Sequence, residues 1–344
     1  MPRASDISQF LPDPRVFRRR LLCWFERAGR DLPWRRTRDP YAILVSEVML
    51  QQTQVAAVLP YYPSWLERFP NFAALAGATE PDVLHAWQGL GYYGRARNLH
   101  ATAKRVTKKF GGQLPQDPAA MAQLPGIGRY TAGAIASFAF DRSAPVVEAN
   151  IARLLARLTN CKIPIDTAAG RARLWQTARL LVPRRNARTF NSALMDLGAT
   201  VCLPRRPRCG ECPVSLFCCA QRPETLPVKR KRPGTIHRRE AHGFSRRRHA
   251  ILLEQSRTRW RGMWILPRLT HSPRRSPLLE LDFPFTHHRI TLAVYETPRL
   301  PSPNENQNWF SVPALERLPI PTPHRRALAQ LLSAKRGARI QRLS

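Results

Sequence analysis

The chain has 344 residues, enough for two domains and a sizeable core. Lys and Arg total 56 against 23 Asp and Glu, a formal net charge of +33 that favours a polyanionic partner. Use of arginine for lysine in a high-GC proteome accounts for part of that excess but not for the scarcity of acids. Nucleic acid is favoured over membrane because no long basic amphipathic helix stands out and no apolar run reaches the length of a span. The start, Met1-Pro2-Arg3-Ala4-Ser5-Asp6, lacks the apolar centre of a signal peptide, so the expectation is a bacterial, cytoplasmic, nucleoid-associated protein without membrane contact. Without that signal, the seven cysteines do not suggest a disulfide framework.

Taken in order, Asp13-Pro14 predicts the start of a helix carrying Val16, Phe17, Leu21, Leu22 and Phe25 at helical spacing and ending at Gly29. Leu32-Pro33-Trp34-Arg35-Arg36 forms a basic, aromatic loop. From Tyr41 to Leu59 there is no Gly or Pro, and Ser46-Glu47-Val48-Met49-Leu50-Gln51-Gln52-Thr53-Gln54-Val55 reads as helix. Glu47 has Ile43, Leu44, Leu50 and Gln51 as helical neighbours, so no cation on its own helix pairs with it. An apolar setting raises a carboxyl pKa and suits a general acid. A surface glutamate at the polar edge of the helix fits this window as well. The uncharged amides of Gln51, Gln52 and Gln54 suit hydrogen bonding to bases or backbone.

Short helices follow near 64–69, 71–76, 80–88 and 95–109. Gly89-Leu90-Gly91-Tyr92-Tyr93-Gly94 is either an ordinary interhelical turn with core aromatics or a close-approach loop projecting Leu90 and Tyr92 as a wedge. Leu124-Pro125-Gly126-Ile127-Gly128-Arg129-Tyr130, within residues 118–140, reads as a helix-hairpin-helix turn. Gly126 and Gly128 expose backbone N–H groups at a helix N-terminus, a cradle for DNA phosphates. Glu148 enters the next helix, with Asn150 in the cap region. Glu47 and Glu148 form a pair of carboxyls suited to splitting acid and stabilising roles at a glycosidic bond, although Glu148 at a first turn also simply favours the helix dipole.

Helices near 168–182 and 189–200 precede Cys202, Cys209, Cys212 and Cys218, separated by six, two and five residues. Four thiolates in one loop hold a metal centre. A single Cys-x-x-Cys pair suits an iron–sulfur cluster better than zinc without excluding zinc. Cys219 is surplus or an alternative ligand, and Cys23 and Cys161 read as small buried residues. Pro223, Pro227 and Pro233 with Lys229-Arg230-Lys231-Arg232 mark a basic linker over 223–240. Fifteen Lys and Arg lie between 229 and 275, a solvated run suited to phosphates. The remainder, 241–344, predicts a small mixed domain with strands at 249–253, 263–266 and 290–295 and a helix at 324–334.

These residues resemble the MutY-type adenine DNA glycosylases, within the endonuclease III-like helix-hairpin-helix superfamily. The resemblance rests on Leu-Pro-Trp-Arg at 32–35, the Ser46–Val55 stretch, Gly-Leu-Gly-Tyr-Tyr at 89–93, Leu-Pro-Gly-Ile-Gly-Arg-Tyr-Thr-Ala-Gly at 124–133, Met-Asp-Leu-Gly-Ala at 195–199 and the four cysteines. It covers 15–222 well and 240–330 loosely. It implies a mainly α catalytic region over 1–222, with two helical lobes and an iron–sulfur loop, and a smaller α+β, Nudix-like domain over 241–344 that recognises 8-oxoguanine. It also implies one [4Fe–4S] cluster on Cys202, Cys209, Cys212 and Cys218, and a monomer acting on double-stranded DNA with A:8-oxoguanine or A:G mispairs. The expected activity is base flipping and hydrolysis of the adenine N-glycosidic bond.

By the same resemblance Glu47 is the acid, Glu148 the stabilising carboxylate, and Tyr130 and Asn150 support them. Trp34, Arg35 and Asp196 line the adenine pocket. Gln52, Thr53, Leu90 and Tyr92 surround the mispair, Gly126 and Gly128 hold the backbone, and Phe285-Thr286-His287 matches the family's Phe-Ser-His loop. Bifunctional relatives carry Lys where this chain has Tyr130, so a monofunctional enzyme is expected. Two departures stand out. Glu148-Ala149-Asn150 replaces the family's Asp-Gly-Asn, and the C-terminal domain is short between Pro267 and Phe285. Glu148 keeps one alternative open, a catalytically weakened iron–sulfur DNA-scanning protein; the runner-up among enzymes is an endonuclease III-like pyrimidine glycosylase, which Tyr130 and the C-terminal domain disfavour.

Overall fold

In a computed structural model, which describes residues 13–231, 234–297 and 303–340 (side chains to 333), Asp13 caps a helix at Pro14–Ala28 through the Arg15 N–H. Asp39 caps Pro40–Leu50 in the same way, through the N–H groups of Tyr41 and Ala42. Residues 1–12, with their expected arm, and Arg232 and Pro233 of the expected linker lie outside the described residues. The chain divides into two compact units. Unit one is the chain to Ala76 plus Ala101–Lys231; unit two is Gly77–His100 plus the chain from Arg232.

Unit one is helical. Its core joins Phe17 and Leu21 of the first helix to Ile151, Leu155 and Leu158 of Ala149–Leu158 and to Phe190, Ala193 and Leu194 of Ala187–Asp196. Phe17 packs edge-on against Phe217, which ties the cysteine loop to this core. Two further helices match the expected positions: Tyr61–Arg68 and Ala168–Leu181. Tyr41 to Leu59 is not one helix. It stops at Leu50, turns through residues 51–53 with Gln52 at φ 57°, and resumes at Val55–Val58. The left-handed Gln52 forbids continuation, and helix-forming side chains do not override it. Cys161 is buried, but Cys23 is exposed on the outer face of the first helix. Among the described residues no helix is long and apolar enough to cross a membrane.

Unit two pairs two sheets with helices. β1 (Ile236–Phe244) runs parallel to β6 (His288–Glu296), whose other edge is antiparallel to β5 (Leu279–Phe285). β3 (Ala250–Gln255) is flanked by β7 (Gln307–Ser311) on one side and by β2 (Arg246–Arg247) and β4 (Trp264–Ile265) on the other. β1 begins inside the stretch expected to be linker. The terminal helix, Thr322–Ile340, is longer than expected. Gly77–His100 belongs here through side chains: the His85 ring bonds the Glu316 carbonyl, Arg325 donates to Gln88, and Glu80 pairs with Arg97 beside Gly262.

His242 and His324 are fully buried in this unit, stacked edge to face at 4.8 Å. Both engage Leu266. His242 Nδ1–H donates to its carbonyl at 2.6 Å, and its N–H donates to His324 Nδ1 at 3.2 Å. Neither Nε2 has a hydrogen-bond partner. Burial lowers His242 to about 4, helped by Arg268 with Glu240 opposing, and holds His324 well below its ordinary value. Between pH 6.5 and about 4 the unfolded chain therefore binds protons that the fold refuses. Stability conferred by the neutral rings is whole above the unfolded pKa and falls as pH drops through that window, by up to about 1.4 kcal/mol per unit for His242, with His324 acting in the same direction. A urea midpoint for unit two that stayed flat from pH 7 to 4.5 would contradict this.

Candidate active site

A cavity of about 770 Å³ opens in unit one between the helices that carry Glu47, Tyr130 and Glu148. Such a volume suits a ligand of nucleobase size with part of its sugar. Its wall includes Arg30, Trp34, Arg35, Gln51, Gln52, Thr53, Asn150, Arg188 and Ser192 as well.

Glu47 is 4% exposed, on the inner face of Pro40–Leu50. The Tyr130 hydroxyl donates to its Oε2 at 2.8 Å. Burial raises the Glu47 pKa to about 7; the Tyr130 hydrogen bond and Arg35 oppose that rise, and Glu148 adds to it. A carboxyl raised toward neutrality can keep a proton to donate at working pH, the condition for an efficient general acid. Tyr130 itself is pushed well above its ordinary value by burial and by Glu47, so it stays a phenol.

Glu148 is the N-cap of Ala149–Leu158. One oxygen accepts from Asn150 N–H at 2.7 Å and the other from Ile151 N–H at 2.8 Å. Asn150, expected in the capping role, instead stands in the first turn. Burial raises the Glu148 pKa, while its two N–H donors, Arg153 and Arg30 oppose this. Glu47 has one hydroxyl donor and one opposing cation; Glu148 has two backbone donors, a helix N-terminus and two opposing cations. These environments push the two carboxyls apart in acidity.

Asn150 is fixed from behind. Its Oδ1 accepts from Arg153 at 3.0 Å, and Arg153 also donates to the carbonyls of Gly198 and Cys202. Gly198 lies in a wide turn, Leu197–Val201, and a Cβ there would meet Asn150 Cβ at 2.8 Å. The glycine at 198 thus permits the close approach of this turn to Asn150.

Asp196 does not line the cavity. It is fully buried, and both its oxygens are taken by Arg30 and Arg35. Burial alone would raise its pKa; Arg35 and Arg30 hold it below the usual carboxylate value. Its work is to orient the two arginines, which do reach the cavity. Trp34 lies edge-on to Tyr62 at 5.5 Å and walls the other side. Arg30, Arg153 and Arg188 escaped the sequence reading. Arg188 donates to the carbonyls of Phe138, Arg35 and Thr37. The only hint was the spacing of Arg153, three residues after Asn150.

The hairpin at Leu124–Gly128 has Gly126 at φ 73°, and Gly128 starts Arg129–Phe138 without a side-chain cap. A Cβ at Gly128 would meet nothing within 4 Å, so the space before these first amides is open. Arg129 stacks on Trp175 at 3.9 Å beside it. In unit two, Leu90 is 6% exposed and does not project, whereas Tyr92 is 46% exposed at φ 48°. Arg95 explains the difference. It donates to the carbonyls of Leu90 and Gly91 and stacks on Trp87 and Tyr92, drawing the loop inward at Leu90. Phe285 is half-buried, and Thr286 and His287 are exposed at the turn between β5 and β6.

Cys202, Cys209, Cys212 and Cys218 lie on one loop, and Cys212 feels the charges of the other three. Buried Arg157 donates to Cys202 Sγ at 3.2 Å and to the Leu203 and Pro204 carbonyls. Four thiols on one loop with a guanidinium beside one of them suit, in kind, an anionic thiolate-held centre. Among the described residues no three His, Cys, Asp or Glu are placed to hold a single metal ion. Cys219 is exposed, its N–H bonded to the Leu158 carbonyl.

Comparison with known proteins gives a consistent result. Residues 45–179 match the family model described as HhH-GPD superfamily base excision DNA repair protein. An adenine DNA glycosylase of Mycolicibacterium smegmatis is 44% identical over 220 residues, 64% of this chain and 72% of that protein. That of Rattus norvegicus is 45% identical over 223 residues, 62% of this chain but 42% of that protein. The chain thus spans about two fifths of the length of such mammalian relatives. A solved thermostable thymine-DNA glycosylase superposes with a TM-score of 0.55 at 32% identity, covering 60% of this chain and 95% of that one.

Proposed function

The chain belongs to the adenine DNA glycosylase family, and on that premise we propose that it excises adenine opposite 8-oxoguanine or guanine in double-stranded DNA during base-excision repair. The observation that carries this reading is the buried Glu47, poised near pH 7 and held by Tyr130 in a cavity it shares with Glu148.

With adenosine flipped into that cavity, protonated Glu47 gives its proton to adenine N7 as the C1′–N9 bond breaks and the bonding electrons leave with the base. Glu148 faces the oxocarbenium ion as an anion whose oxygens are fixed by Asn150 and Ile151 N–H groups. Water then adds at C1′ and its proton returns to Glu47. Arg30 and Arg35, oriented by Asp196, bear on the sugar-phosphate and base. The open amides at Gly126–Gly128, with Arg129 beside them, take a DNA phosphate. Gln52, Thr53 and Tyr92 contact the bases around the mispair, and Phe285, Thr286 and His287 read the oxidised purine. Cys202, Cys209, Cys212 and Cys218 would hold one [4Fe–4S] cluster, whose contribution is to fix the loop that Arg153 and Arg157 contact; no step of the hydrolysis passes through it.

The test is single-turnover release of adenine from duplexes with A opposite 8-oxoguanine. No product from full-length wild type on either A:8-oxoguanine or A:G, with binding retained, would replace this reading by a DNA-scanning one. Release of thymine or oxidised pyrimidine instead would support a pyrimidine glycosylase. Tyr130 is a phenol without an amine, so the wild type leaves no borohydride-trapped covalent adduct with DNA. Tyr130→Lys places an amine beside Glu47 and is expected to yield such an adduct; equal trapping by both proteins would refute the monofunctional assignment.

A further inference from the structure

Arg259 is the unexplained residue of unit two. Its guanidinium makes two hydrogen bonds to Glu240 on β1, at 2.7 and 3.2 Å, with both side chains largely buried. It also lies 5.1 Å from the ring centre of Trp260 and 4.6 Å from that of Phe285. An arginine engaged on its edge by a carboxylate and on its face by two aromatic rings is held in one geometry, which a lysine cannot reproduce.

Phe285 is the last residue of β5 and pairs with His288 across a two-residue turn. That turn puts Thr286 at φ 55°. A β-branched residue in the left-handed region is strained and survives only where its surroundings fix it. The Thr286 hydroxyl bonds the Phe285 carbonyl at 2.7 Å. Asp282, three residues before Phe285 on β5, accepts from Arg289 and Thr291 of β6 and ties the two strands together. At the tip itself the Phe285 ring is held by Arg259.

We propose that Arg259 is a positioning residue for purine recognition: clamped by Glu240 and stacked on Phe285, it sets the hairpin tip in the conformation that distinguishes 8-oxoguanine from guanine opposite the target adenine. The inference rests on the recognition role given above to Phe285, Thr286 and His287. Arg259 acts through its stacking on Phe285. Its loss lowers discrimination and leaves the chemistry intact.

The experiment compares single-turnover rates of full-length protein on A:8-oxoguanine and A:G duplexes. Wild type is expected to prefer the former. Arg259→Met is expected to reduce that preference at least about fivefold while its A:G rate stays within about twofold. Arg259→Lys recovers part of the preference. Glu240→Gln, which leaves Arg259 but loosens it, shifts the ratio in the same direction and serves if Arg259→Met fails to fold. A wild type with no preference at all would overturn the recognition role of the hairpin. A wild type with clear preference and an unchanged ratio in both Arg259→Met and Glu240→Gln would overturn the role of Arg259 alone. So would an equal fall on both duplexes, the mark of a merely structural residue.

Discussion

Glu47→Gln is expected to abolish adenine excision, with a single-turnover rate at least about 10³-fold below wild type, and to leave DNA binding nearly unchanged. Glutamine still accepts the Tyr130 hydroxyl, so the cavity keeps its shape while losing its acid. The same substitution is expected to stabilise the protein. The Glu47 pKa is about 7 in the fold against 4.5 for the free group. Between those values the folded state binds more protons than the unfolded one, so stability falls as pH rises through the interval. Above pH 7 the buried carboxylate costs up to about 3 kcal/mol, and an amide avoids that cost. Melting temperatures of the two proteins should therefore converge near pH 4.5 and separate in favour of Glu47→Gln by pH 8. A variant that is less stable at pH 8, or that keeps substantial excision, would remove Glu47 from the acid role. In wild type, the excision rate falls as pH rises past about 7, because the proton to be donated is gone.

Glu148→Ala is expected to lose activity too, by at least about 10²-fold, but with stability moving the opposite way. Glu148 closes two N–H groups at the start of Ala149–Leu158, and loss of a cap costs about 1–2 kcal/mol. Glu148→Gln separates the two duties. It keeps an acceptor for the cap and loses the charge, so it should retain most of the stability and little of the rate. Glu148→Asp keeps the charge on a side chain one methylene shorter. If that variant matched wild type in rate, the position of the carboxylate would matter less than its presence. If Glu148→Ala kept wild-type excision, no anion at this site would be needed.

The two carboxyls were legible in the sequence because each stands alone among apolar neighbours, and a helical window displays such neighbours directly. Their environments were not. That Glu148 would itself cap its helix, in place of Asn150, depends on the approach angle of Pro145-Val146-Val147, which no local preference encodes. Asp196 was misread for a similar reason. Its partners, Arg30 and Arg35, are more than 160 residues away in the chain. The turn at Gln52 was hidden by residues that favour helix, and Leu90 by an arginine five positions later that turns its carbonyl inward. β1 was hidden by charge: His237, Arg238 and Arg239 look like linker, and only parallel pairing with β6 makes them strand.

The discontinuity of unit two bears on how the chain is made. Gly77–His100 emerges from the ribosome early, but the groups that satisfy it, Glu316 and Arg325, are synthesised more than 200 residues later. Until then Leu84, fully buried in the finished fold with its Cδ1 beside Gly262, lacks that neighbour, an exposure of apolar surface during vectorial folding. For the same reason a chain cut short near residue 230 loses more than a C-terminal appendage. The loop bearing Tyr92 is stripped of its support, and the shortened protein is expected to be less soluble than its length would suggest.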